Sequence, residues 1–308
     1  RVSPTQSFYS TTTDTEGYYE IDVPAGIYNI LFSMYGWQPY DLNNQFIDGE
    51  TEYSIELEEG FAAYVEGEAS GLWTEENLYF VEGDITVPAG DTLTIEAGTR
   101  IKFTGFYNFT VEGVLIAEGD SLNHIEFISN QTVPEPGDWG VLTLHSPGNI
   151  LRYVDVSNAE NGITAGDIDN SIFDHCSVSD IPRWPEEHSA PRYDCHGIEA
   201  ENCNNCVFTY NSIEGFIFEG IMVEHHATGS IFIGNEIDIE GAIFGIAVEE
   251  GDSLLFQDNT VTADAKAFWV GEGNDITFEN NTINTTTEGI NVDTGSDITF
   301  TNNSITSG

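Results

Sequence analysis

Short apolar segments alternate with polar positions along this chain, and no stretch settles into a helical period. In the N-terminal part, Tyr18, Ile21 and Val23 are separated by Glu20 and Asp22. Pro24-Ala-Gly26 offers a turn, residues 27–32 read as the next strand, and residues 51–57 alternate again. Further on the texture becomes a repeat. The motif F-x-x-N-x-[IV] occurs as Phe208…Asn211…Ile213, Phe232…Asn235…Ile237, Phe256…Asn259…Val261, Phe278…Asn281…Ile283 and Phe300…Asn303…Ile305. Leu151 and Phe173 open degenerate copies, and from Leu151 the intervals are 22, 35, 24, 24, 22 and 22 residues. Between copies runs G-[IF]-x-V, as in Gly220-Ile-Met-Val223 and Gly245-Ile-Ala-Val248.

Two apolar segments per 22–24 residues leave no room for crossover helices, so the repeat predicts a right-handed parallel β-helix. The fold class expected is all-β: a small antiparallel β-sandwich over residues 1–60, then the β-helix over residues 61–308. Stacked coils would bring Asn211, Asn235, Asn259, Asn281 and Asn303 into a ladder, bonded to one another and to turn backbone. The 35-residue interval marks an inserted loop near residues 180–194, which holds Pro182, Trp184, Pro185 and Pro191.

Two resemblances add to this reading. Thr13-Asp-Thr-Glu-Gly-Tyr-Tyr-Glu-Ile21 followed by Val23-Pro-Ala-Gly-Ile-Tyr28 resembles the carboxypeptidase-regulatory-like (CnaB-like) β-sandwich, a stalk or spacer module of secreted proteins. Little precedes Tyr9, so the module lacks its first strand. The lysines are Lys102 and Lys266, which excludes the Lys–Asn cross-link of some relatives. Val87-Pro-Ala-Gly90, Leu93-Thr-Ile95 and Gly98-Thr-Arg-Ile-Lys-Phe103 resemble the opening coils of secreted bacterial β-helix proteins of the pectate-lyase-like superfamily. That resemblance implies an extracellular or cell-surface location, and polysaccharides as the substrates of any enzyme.

Charge narrows the partners. Seven basic residues stand against 53 acidic ones, a formal net charge of −46. Nucleic acid is excluded, no apolar run is long enough to insert in a membrane, and polyuronates would be repelled. Neutral glycans remain, with Trp184, Trp139 and Tyr193 as candidate aromatic contacts.

The clustered cysteines Cys176, Cys195, Cys203 and Cys206 suit one or two disulfides pinning the inserted loop, of unknown pairing; free thiols, and zinc at Cys203-x-x-Cys206 with His175 or His196, are the other readings. Acids recur after each G-[IF]-x-V strand and after the following Gly. Glu249, Asp252, Glu272, Asp275, Asp293 and Asp297 are therefore candidate calcium ligands between coils, and no other cofactor is expected. If the chain is an enzyme, its site is expected at the inserted loop, on Asp180, Arg183, Glu187, His188, Arg192 and His196. The leading expectation is different: a non-catalytic structural or adhesive surface protein, assembling head-to-tail with copies of itself through uncapped ends. The alternative is a carbohydrate-active enzyme or glycan-binding module sited at residues 180–196.

Overall fold

The computed structural model describes residues 9–14, 17–32, 40–55, 61–182, 196–215, 219–239, 244–264 and 266–307. The chain divides into two compact units, Arg1–Glu58 and Glu59–Gly308.

In the first unit the described strands are Gly26–Phe32 and Tyr40–Ile47, paired antiparallel. The D-x-x-G motif before them is a turn: Asp14 Oδ1 accepts from Tyr18 N–H at 3.0 Å, and Gly17 has φ +88°. The P-x-G-x-Y motif is also local, with Tyr28 Oη donating to Pro24 O at 2.6 Å. The strands expected over 18–23 and 51–57 do not form where the chain is described. Tyr18 is 73% exposed and Ile21 38%, so among the described residues no second layer covers that alternation. The expected sandwich is thus, among the described residues, a two-stranded sheet.

The second unit is a parallel β-helix, and each coil holds three strands where the sequence suggested two. Taking one coil, Ile163–Gly166 lies in sheet 1, Ile172–Asp174 in sheet 2 and Ser177–Ser179 in sheet 3. The next coil places His196–Glu201, Val207–Thr209 and Ser212–Gly215 directly on them, pairing Phe173 with Phe208 across the 35-residue interval. F-x-x-N-x-I is therefore a corner, with the residue before the ladder position in the left-handed region: Tyr153, His175, Tyr210, Gly234, Asp258, Asn280 and Asn302 have φ between 48° and 67°. The first coils run from Phe61–Glu68 through Asn77–Val87, Thr92–Glu96 and Arg100–Phe103. Trp139 makes only an isolated bridge with Ala159, and no strand forms at 137–140.

The core is a set of columns. Phe173, Phe208, Phe232, Phe256, Phe278 and Phe300 stack with centroids 4.7–5.3 Å apart, and all but Phe300 are buried. Beside them the asparagines link coil to coil. Asn235 Nδ2 donates to Phe208 O and Asn259 Oδ1, both at 2.9 Å, and Asn235 Oδ1 accepts from Asn211 N–H and Nδ2. Asn259, Asn281 and Asn303 repeat the pattern. Among the described residues no helix is long and apolar enough to cross a membrane.

Candidate functional site

Most sheet 1 strands begin with a glycine, replaced by Ala267 in one coil, because the position is crowded. A Cβ on Gly197 would lie 2.5 Å from Ile213 Cγ2 and 2.6 Å from Gly220 O; one on Gly220 would lie 2.5 Å from Gly245 O. The residue before this small position starts the strand, and in register these are His196, Glu219, Phe244, Lys266 and Glu288. Beyond the buried Ile198, Ile221, Ile246 and Phe268, the next position points away from the core. It is filled in turn by Thr164, Glu199, Met222, Ala247, Trp269 and Asn291. Two residues later, Glu201 faces Glu224.

Three of these side chains converge. His196 Nε2 lies 2.7 Å from Glu219 Oε2, and its Nδ1 lies 3.5 Å from Glu199 Oε2. Neither ring nitrogen is aligned for a directed hydrogen bond, so the contacts are those of an ion pair. The His196 and Glu219 side chains are 4% and 8% exposed, which makes this a buried charge cluster. Asn161 holds the strand entrance: its Oδ1 accepts from His196 N–H at 2.8 Å, and its Nδ2 donates to Thr164 Oγ1 at 3.3 Å. Thr164 Oγ1 donates in turn to Glu199 Oε2 at 3.2 Å.

The cluster drives titration in opposite directions. Burial opposes the charge on His196, yet Glu199 and Glu219 outweigh it and push the pKa up to about 9. Burial likewise works against ionised Glu199, but His196 outweighs it and keeps Glu199 below the usual carboxylate range. Glu224, on the neighbouring strand, is raised by burial and then by the negative charges of Glu199 and Glu249. One carboxylate is held ionised and its diagonal neighbour is biased toward the acid form, the separation that acid–base chemistry uses. On the same face Phe244 stacks on Trp269 with centroids 5.1 Å apart, and Lys266 Nζ stands 5.8 Å from the Phe244 ring.

The residues named from the sequence are distributed as follows. His196 opens the sheet 1 strand and belongs to the cluster. Asp180 follows Ser177–Ser179 at φ 52°, where the chain leaves the coil. Arg183, Glu187, His188, Arg192, Cys195, Trp184 and Tyr193 lie outside the described residues. Trp139 is not an exposed aromatic: it is fully buried, stacked 4.0 Å from Phe103, with Nε1 donating to Ser157 O.

The disulfide expectation is corrected for the three described cysteines, which are buried free thiols. Their sulfurs serve the coil instead. Cys176 occupies a ladder position, and its Sγ donates to Leu151 O at 3.4 Å; Cys206 Sγ donates to Ile168 O at 3.3 Å. Cys203 and Cys206 interact side chain to side chain.

The six acids proposed for calcium make other contacts. Asp252 Oδ1 accepts from Asn274 N–H and Nδ2, Asp275 accepts from Ser253 Oγ, Asp293 from Trp269 Nε1 and Asp297 from Ser296 Oγ. Glu249 lies 3.5 Å from His225 Nδ1, and Glu272 pairs in register with Glu250 and Thr294. Among the described residues no three His, Cys, Asp or Glu converge as a metal site. Glu199, Glu219 and Trp269 were missed from the sequence. The available signal was the repeat itself: Glu199 and Trp269 stand at its outward x position, and Glu219 immediately before its glycine.

A family described as right handed beta helix region matches residues 83–237 and 193–308. No curated protein matches the chain. Among solved structures, the periplasmic alginate epimerase AlgG is 12% identical over 76% of this chain and 72% of its own, with a TM-score of 0.35. Endopolygalacturonase I from Stereum purpureum, complexed with two galacturonate, is 13% identical over 78% and 99%, with a TM-score of 0.26. The Agl-KA catalytic domain is 13% identical over 80% and 63%, with a TM-score of 0.24. Superpositions this loose say nothing about chemistry.

Proposed function

Since the chain belongs to the right-handed β-helix region family, we propose that it is a carbohydrate-active enzyme, a glycoside hydrolase acting on the outer face of sheet 1. The arrangement that carries this is two outward carboxylates on adjacent strands, Glu199 held ionised by buried His196 at 3.5 Å and Glu224 biased toward the acid form by burial and neighbouring carboxylates. Glu224 is the general acid and protonates the glycosidic oxygen. Glu199 is the general base and takes a proton from the water that attacks the anomeric carbon. His196 is a positioning residue: its buried charge keeps Glu199 ionised.

Glu201 and Glu224 are paired, and Glu199 lies two residues before Glu201. A strand spacing of about 4.8 Å and a rise of about 3.3 Å per residue put the Cα atoms of Glu199 and Glu224 about 8 Å apart. A polymeric glycan substrate places the protein outside the cytoplasm.

A scaffold or filament subunit would have no use for His196. Apolar residues in place of all three of His196, Glu199 and Glu219 would stabilise the coil at least as well as the buried charges do. The test is turnover on a glycan panel by the full chain beside Glu199→Gln and Glu224→Gln. Each substitution is expected to lower kcat by about 10²-fold or more with the fold intact. Wild-type rates in both variants would remove the assignment.

A further inference from the structure

Among the described residues, the cations on the face that carries the carboxylates are already matched. Among the described residues, Arg100 and Lys102 lie in sheet 3 and Arg152 in sheet 2. On the sheet 1 strands from Ile163 onward the basic side chains are His196, His225, His226 and Lys266. Each is matched: His196 to Glu199 and Glu219, His225 to Glu201 and Glu249, His226 to Glu250, and Lys266 to Glu288 at 3.3 Å. A uronate carboxylate brought here would meet like charge with no partner.

The same face offers apolar surface of the kind a sugar ring covers. Trp269 stands in the outward column that holds Glu199, with Met222 and Ala247 between them. Met222 and Ala247 are buried, while Phe244 and Trp269 beyond them form a stacked, part-exposed pair. Trp269 Nε1 is fixed by Asp293 Oδ2 at 3.0 Å, which holds the indole in place.

We infer that the site takes an uncharged glycan, laid along the helix axis across successive coils of sheet 1, with a sugar ring packed on Trp269 and Phe244. The inference rests on the hydrolase reading for its position beside Glu199 and Glu224. Its ligand class rests on the matched cations and the aromatic pair.

Affinity electrophoresis of the full chain in gels holding soluble glucans, mannans, galactans, xylans or polyuronates tests it, with turnover measured in parallel. At least one neutral polysaccharide retards the protein, and polyuronates do not. Trp269→Ala weakens that retardation by about tenfold, and Trp269→Phe keeps most of it. Glu224→Gln binds like wild type and does not turn the glycan over. Preference for polyuronates, failure to bind any neutral polysaccharide, or binding unchanged in Trp269→Ala overturns the inference. If Trp269→Ala fails to fold, Trp269→Gln, checked by thermal unfolding, takes its place. Binding through Trp269 with no turnover sinks the hydrolase reading and leaves the ligand class standing. Turnover lost in Glu224→Gln with binding indifferent to Trp269 does the reverse.

Discussion

His196 gives this chain a pH dependence of known sign. Its pKa stands at about 9 in the folded protein against a reference of 6.5. Its stabilising contribution is therefore complete below about pH 6.5 and is lost as pH rises toward 9, amounting to roughly 3 kcal/mol. Glu199 belongs to the same ion pair and acts at the other end: lowered in the fold, it contributes at neutral pH and is lost under acid. Thermal unfolding from pH 6.5 to 9 should show Tm falling in the wild type and a flatter profile in His196→Gln. His196→Ala should cost about 3–5 kcal/mol at pH 7, because Glu199 and Glu219 are left facing each other, and part of that loss should return on mild acidification. His196 was visible in the sequence as one member of a polar loop. Its partners were not, because Glu219 joins it only through coil stacking, and carboxylates are too common here for any one to stand out.

Within a coil, the left-handed corner and the ladder share the work of closing the turn. Asn235 satisfies Phe208 O and the Asn211 amide groups inside the core. Asn235→Ala should cost about 3 kcal/mol, the sum of several buried hydrogen bonds left unmade. Asn303→Ala should cost less, since Asn303 is only part-buried. Denaturant titration of the two variants checks the order. The corner also carries a stack of Tyr153, His175 and Tyr210, with centroids 4.5 and 4.9 Å apart. Gly234 ends it because a Cβ there would lie 2.5 Å from the Tyr210 ring. Gly234→Ala should therefore destabilise by about 1–2 kcal/mol from backbone strain plus the clash, and Tyr210→Ala should relieve the clash alone in a double-mutant cycle. The ladder was legible because Asn recurs at a fixed offset. The third strand per coil was not: Tyr153 and Tyr210 occupy left-handed positions without the side chains that usually mark them.

Over the whole molecule, the net charge of −46 is carried partly in columns whose repulsion is broken by histidine. His225 stands between Glu201 and Glu249, and His226 faces Glu250. Carboxylates remaining at coil spacing should make added monovalent salt raise Tm, which melting curves at low and high NaCl will show. The β-helix was readable because its period is written in Phe, Asn and Gly. The N-terminal strands were overread because alternation at Tyr18, Ile21 and Val23 does not reveal whether a second layer exists. The site was half-read. The sequence led to the inserted loop and His196, while the geometry centres on sheet 1, where register alone joins Glu199, Glu224 and Trp269. The central claim, that Glu199 and Glu224 act as base and acid on one glycosidic bond, is tested most directly by the pH dependence of kcat/KM on a neutral glycan. The account predicts a bell: the rate rises as Glu199 ionises, below the usual carboxylate range, and falls as Glu224 loses its proton, above it. A rate that stays flat or keeps climbing as Glu224 deprotonates would contradict it.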